Sequence, residues 1–284
     1  SANLFFAQTN YNDKNYKKSY DYFKKAVTSN TESLRALKGL LLASNKLNKL
    51  EEALINIESV FNDYQTNPKH SLLLAKLHST VGKPQRSIDI LSVQVFEDER
   101  LNHIRNIVLG DAYLSQKDYS KATVIYNKLL EGDTFDNHIL LKQLYAYEKS
   151  LKINKATQLL ESLKIRHPNN LQIGLLLANF HALSKKPNTA LKFVESLTPE
   201  QQKISMVQSI KGKSFYQQQK YKIALPLLVV DYEKTKNSRV AAFIFDSEIK
   251  LEKAPDAMQF MHKHLQIFPN DLINRILYVN ELVK

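Results

Sequence analysis

Residues 109–129 read LGDAYLSQKDYSKATVIYNKL, and the spacing inside this stretch decides the fold. Ala122 and Tyr126 stand four apart, so on a helix they share one face, and Leu129 follows three residues later. A small side chain lets a neighbouring helix approach closely, while the bulky one beside it fills the space that remains. Upstream, residues 101–114 form a second amphipathic stretch, and Asp118-Tyr119 marks a short turn between the two. The spacing predicts a pair of packed helices.

Outward from this pair, the same combination of a small residue, three variable positions and a large apolar residue recurs along the chain. It falls at Ser19/Phe23, Ala53/Ile57, Ser87/Leu91, Ala122/Tyr126, Ala156/Leu160, Ala190/Val194, Ala224/Leu228 and Ala257/Met261. The small residues are 34, 34, 35, 34, 34, 34 and 33 positions apart. A phase held over that distance marks stacked units, each burying its apolar face against the next. A third apolar position follows at Ala26, Val60, Leu129, Leu163 and Leu197. Leading helices are expected at 34–47, 71–79, 101–114, 138–149, 171–183 and 204–217. Pro84, Pro187 and Pro255 suit the start of second helices, where proline has no intrahelical donor to lose. Asn67-Pro68, His167-Pro168 and Phe268-Pro269 separate successive pairs, and Thr198-Pro199-Glu200-Gln201 reads as a capped helix start. Pro226 falls inside a second helix and is expected to kink or shorten it. The apolar residues of the last segment, Leu272, Ile273, Ile276, Leu277, Leu282 and Val283, are expected to cover the final pair.

These residues resemble the tetratricopeptide (TPR) repeat family over roughly residues 4–284. The fourth unit carries the signature most fully, in Leu109-Gly110-Asp111-Ala112-Tyr113, Tyr119, Ala122, Tyr126 and Leu129. The fifth supplies Tyr147, Ala156, Leu160 and Pro168, and the seventh Gly212, Phe215, Tyr221, Ala224 and Leu228. The signature tryptophan is missing throughout, because the chain has none, and Gly82 is shifted into the inter-helix turn. The resemblance implies an all-α, right-handed α-solenoid of about eight helix pairs plus a final helix, with the leading helices lining a concave groove. Units are expected at about 1–33, 34–67, 68–101, 102–136, 137–170, 171–203, 204–237 and 238–269, with a terminal helix at 270–284. Together they read as a single array and as a piece of a longer protein. The degenerate repeats are similar in style to large bacterial TPR proteins tied to exopolysaccharide production and the PEP-CTERM system. On that resemblance the compartment is open between a bacterial periplasm or envelope and the cytoplasm.

Composition supports helix and narrows function. Six glycines and eight prolines among 284 residues are few for a fold that needs a tight turn every ten residues. Without cysteine there is no disulfide, thiolate nucleophile or Cys-ligated zinc. No window approaches eighteen uninterrupted apolar residues, so no membrane span is expected in this piece. The net charge of +12 admits an anionic partner, but the lysines come in scattered pairs such as Lys17-Lys18, Lys24-Lys25 and Lys185-Lys186, never in a block.

A search for catalytic patterns yields none: no phosphate-cradling glycine loop, no nucleophile elbow and no His-Glu-x-x-His helix. His262 and His264 are two apart and point to different helical faces, and the remaining histidines read as exposed or packing residues. Neither a catalytic residue, a metal nor a cofactor is expected. On the TPR resemblance, the partner-facing positions are Arg35, Lys38, Lys76, Ile107, Asp111, Tyr145, Asn179, Lys213 and Tyr216. Leu42, Ile104, Leu141, Leu175, Met206 and Asp246 accompany them. Ile104, Ile107 and Leu141 would equally suit the helix seam if the register were shifted by one. The lysine–asparagine clamp with which some TPR proteins hold a terminal carboxylate is not recognisable, since Leu42 follows Lys38 and Leu175 precedes Asn179. The expected function is a scaffold holding a peptide or partner protein in the groove, without enzymatic activity. The alternatives are an acidic polysaccharide, with nucleic acid less favoured, or a structural arm of an envelope polysaccharide or secretion assembly.

Overall fold

The computed structural model describes residues 2–29, 33–60, 67–131, 136–184 and 186–283; of Leu34 and Val60 it describes the backbone only. The expected third apolar position at Val60 and the Lys185 half of one lysine pair therefore lie outside the described side chains. Every regular element among the described residues is helical.

Two compact units are formed, Ser1–Ser150 and Leu151–Lys284. The first holds α1 (Ala2–Asn12), α2 (Tyr16–Ser29), α3 (Leu34–Lys46), α4 (Leu50–Val60), α5 (Pro68–Thr80), α6 (Pro84–Ser92), α7 (Glu99–Ser115), α8 (Tyr119–Leu129) and α9 (Asn137–Lys149). The second holds α10 (Ile153–Arg166), α11 (Leu171–Leu183), α12 (Pro187–Glu195), α13 (Pro199–Gln202), α14 (Ser205–Gln217), α15 (Tyr221–Thr235), α16 (Ser238–Lys250), α17 (Ala254–Ile267) and α18 (Leu272–Leu282).

Packing follows the repeat. Ser19, Ala53, Ser87, Ala122, Ala156, Ala190, Ala224 and Ala257 are all fully buried, and each large partner four residues on is buried with it. The leading helices yield to these bulky groups where they meet. A Cβ on Gly39 would fall 2.1 Å from the Phe23 ring, and one on Gly110 would fall 2.8 Å from Tyr126. At the third position Ala26, Leu163 and Leu197 are buried, whereas in α8 the slot goes to Leu130 and Leu129 is only half-buried.

The turn between paired helices has a shared geometry. Lys14, Asn48, Gly82, Lys117, Leu151, Gln219 and Glu252 all adopt positive φ, between 56° and 78°. The following N–H then reaches back five residues to a carbonyl of the last turn, as in Lys49 to Ser44 (2.8 Å), Lys83 to His78 (2.8 Å) and Asp118 to Tyr113 (2.9 Å). This is the Schellman closure of a helix C-terminus, which ordinarily recruits glycine. Here glycine occupies the position once among these residues, at Gly82.

Helix starts are as the sequence implies. Pro84 and Pro187 open α6 and α12, and Asn67 accepts from the Lys69 and His70 amides to cap α5. Thr198 and Gln201 form a capping box, although the helix they start is the single turn α13, with the leading helix α14 beginning after it.

One expectation is narrowed and one revised. Of the two outcomes expected at Pro226, shortening does not occur: α15 runs on to Thr235. Proline there faces solvent, and the carbonyl it deprives of a bond belongs to the exposed residue Lys222, where water can satisfy it. Of the aliphatic stripe of α18 only Leu277 packs against the last pair: Leu272, Ile273, Ile276, Leu282 and Val283 are exposed, and the fully buried residue is Asn274. That side chain donates to the Ser238 carbonyl (2.9 Å) and to Asp271 (2.8 Å). Asp271 also pairs with the buried His264 ring (2.8 Å), whose other nitrogen meets the Tyr232 hydroxyl (2.8 Å). The last helix is thus anchored by a polar network together with Leu277 and Tyr278, which pack against Phe245, Ala257 and Met261.

Candidate functional site

Repeat register locates the surface that the leading helices display. Lys76, Asp111, Tyr145, Asn179, Lys213 and Asp246 stand 35, 34, 34, 34 and 33 residues apart and are equivalent positions of α5, α7, α9, α11, α14 and α16. None of them is among the buried residues. Seven positions earlier lie Lys69 on α5 and Ile104 on α7, and between the two ends lie Leu72 and Leu73 on α5, Ile107 and Val108 on α7. Spacing of i, i+3, i+4 and i+7 puts each set on one helical stripe.

In the first unit these stripes bound a cavity of about 560 Å³, within the range of ordinary ligand sites. Its walls are the stripes of α5 and α7, closed at one side by Lys38 of α3 and at the end by Ser79 and Thr80. Four expected residues, Lys38, Lys76, Ile107 and Asp111, meet there. The floor is aliphatic and the rim cationic. The ammonium groups of Lys38, Lys69 and Lys76 and the exposed Arg35 guanidinium have no hydrogen-bond or ion-pair partner among the described residues.

Asp111, the one acid on the wall, is already compensated. Lys142 Nζ of α9 donates to both carboxylate oxygens at 2.7 Å, and the buried Tyr126 hydroxyl donates at 2.7 Å. Burial first, then the adjoining carboxylate, pushes the Tyr126 hydroxyl far up, so it stays a donor. Tyr145 is about half exposed, edge-on to Tyr119 at 6.5 Å, with Lys149 Nζ 5.5 Å from its ring centre. Ile104 and Leu141 are exposed rather than seated in the helix seam.

In the second unit the equivalent positions are tied to one another. Lys213 Nζ donates to Asn179 at 3.0 Å and lies 3.5 Å from Asp231, which also accepts from Ser209 at 2.6 Å. Tyr216 donates to Asp246 at 2.9 Å and stacks on Phe243 at 4.2 Å. Its hydroxyl is raised mainly by burial and next by Asp246. Tyr216 also lines a smaller cavity of about 390 Å³ with Pro187, Gln217 and Tyr221. Leu175, expected on the groove, is buried in the seam instead, because the preceding glycine lets Phe193 press against α11.

Lys69, Leu72, Leu73, Val108 and Lys142 were not anticipated. The signal for Lys69 was present: it lies 34 residues after Arg35, and Pro68 suits the first position of a helix. Beginning the helix at residue 71 hid it. Among the described residues no three His, Asp or Glu side chains come together as a metal site, and no helix is long and apolar enough to cross a membrane.

Comparison with solved structures settles what this arrangement of pairs is. A tetratricopeptide repeat protein from Parabacteroides merdae superposes with a TM-score of 0.53 at 14% identity, over 87% of this chain and 97% of that one. The fold is the tetratricopeptide-repeat fold. A chain of the APC/C hetero-tetramer Cut9–Hcn1 matches at a TM-score of 0.52 and 14% identity, over 97% of this chain and 54% of that one. No protein-family model and no curated protein matches the sequence. At this identity the likeness establishes the TPR fold, and what the present chain binds has to be argued from its own side chains.

Proposed function

We propose that the chain is a protein-interaction scaffold, without catalytic activity of its own, that holds a peptide segment of a partner on the leading-helix surface. The observation that carries this is the cavity on α5 and α7, where an aliphatic floor adjoins cations that no acid among the described residues neutralises. Aliphatic anchors supply burial energy and the polar rim fixes orientation, the usual division of labour in peptide grooves. In the Cut9–Hcn1 structure the similar chain is assembled with another protein, which is consistent with this reading.

The test is capture of partners from the native host, comparing the protein with its Lys38→Ala and Tyr145→Ala variants. Loss of a specific partner with either variant is expected. Retention of every partner at unchanged affinity by both would remove the groove assignment, and turnover of any small substrate by purified protein would remove the non-catalytic one.

Arg35, Lys38, Lys69 and Lys76, without partners among the described residues, also favour a second reading, an acidic polysaccharide held by charge. Binding dominated by phosphate or carboxylate neutralisation falls steeply with salt. A ligand anchored on Leu72 and Ile107 would lose much less, and measuring affinity at two salt concentrations separates the two.

A further inference from the structure

We infer that the cavity of the first unit is shaped for an acidic amphipathic helix, with carboxylates one heptad apart on either side of an aliphatic stripe. The inference rests on the scaffold reading and names the class of partner for that site.

Three observations lead to it. Lys69 and Lys76 sit at the two ends of the α5 stripe, with Leu72 and Leu73 between them. Seven helical residues rise ~10.5 Å, so two carboxylates at i and i+7 of a helix lying along α5 reach both ammonium groups while i+3 and i+4 rest on the leucines. An extended ligand covers the same distance in about three residues, and side chains three apart on a strand point to opposite faces. A helix fits this stripe and a strand does not.

The facing wall agrees. Ile104, Ile107 and Val108 repeat the same stripe on α7, 35 residues on, so an aliphatic row laid on α5 meets a second aliphatic row opposite. Charge completes the match. The cations of the rim have no partner among the described residues, whereas the wall's carboxylate Asp111 is held by Lys142 and Tyr126 and does not repel an acidic ligand as a free carboxylate would. A basic helix would meet uncompensated lysines at both ends of its path.

The experiment selects binders from a displayed library of random 16-residue peptides against the whole protein. Enriched peptides are synthesised and titrated by fluorescence anisotropy, with their helicity followed by circular dichroism. The expected consensus has aliphatic residues at i+3 and i+4 and Glu or Asp at i and i+7, and these peptides gain helicity on binding. Lys69→Glu or Lys76→Glu is expected to weaken them by about tenfold or more, and a Glu→Lys change in the peptide to restore affinity to the reversed variant. Both lysines are solvent-facing, so these variants keep the fold. Enriched peptides that need Ile107 but lack acidic residues, or stay extended when bound, would overturn the helix inference and leave the scaffold reading intact. If no peptide is enriched whose binding depends on Lys38 or Ile107, both fall.

Discussion

The two units place equivalent residues on equivalent stripes and use them differently. In the first, Lys69 and Lys76 line an open cavity and neither ammonium has a partner among the described residues; in the second, Lys213 is enclosed by Asn179, Asp231 and, through Asp231, Ser209. Tyr145 projects half-exposed, whereas Tyr216 is stacked on Phe243 and bonded to Asp246. A repeat position fixes where a side chain is presented, and its neighbours in the same lane decide whether it is spent on the fold or left for a ligand. Stability and binding should therefore respond to mutation in different halves of the chain.

The sharpest break of that contrast is a pair of alanine variants measured by urea denaturation. Asp231 and Lys213 are only 7% and 13% exposed, so Asp231→Ala takes a carboxylate away from a nearly buried ammonium that keeps Asn179, and should cost about 1.5–3 kcal/mol. Lys76→Ala should stay within about 0.5 kcal/mol of the parent while weakening groove binding severalfold. The reverse order of effects would dissolve the distinction between the units. Next in size, Tyr126→Phe removes a buried hydroxyl from Asp111 and should cost about 1 kcal/mol, visible as a shifted denaturation midpoint. Lys142→Gln touches a pair that is more than a third exposed on both sides, so its cost should be below about 1 kcal/mol. It should nonetheless weaken an acidic ligand, because Asp111 is then left uncompensated.

The smallest effect is shared by both units. Burial is the leading cause holding His78 in the first and His181 in the second below the ordinary imidazole value; at His78 the nearby Glu58 pulls the other way. The unfolded chain, with its histidines near pH 6.5, then binds more protons as the medium acidifies. Stability should be fully present above about pH 6.5 and decline as pH falls below it. Replacing both by Gln should flatten thermal stability between pH 7.5 and 6; an unchanged slope would show that neither ring matters.

The repeat was legible because it is enforced by volume. Ser19 and Ala257 are 238 residues apart and both sit at zero exposure against a bulky side chain, and no local detail can move such a seam without opening a void. The lane of Lys76, Asp111 and Tyr145 was legible for the same reason, being a fixed offset from the seam. What was not legible depended on partners distant in sequence. Nothing near Lys213 announces Asp231, nothing near Asp111 announces Lys142, and Asn274 replaces the valine of α16 at a position where the pattern demands an aliphatic group. Leu175 misled because its neighbour is glycine, which draws the seam one residue over.

The left-handed residue in each inter-helix turn has a practical consequence. Lys117, Leu151, Gln219 and Glu252 carry exposed side chains where the backbone favours none, and after Lys117, Gln219 and Glu252 the cap bond of the next N–H holds the turn there. Changing each to glycine should recover about 0.5–1 kcal/mol, the relief of a left-handed conformation less glycine's own chain entropy. The sites are a repeat apart with no common neighbours, so the gains should accumulate, stiffening the chain without touching either a lysine of the cavity or a residue of the seam. Thermal tolerance in this protein is thus adjustable one hinge at a time, independently of whatever it holds.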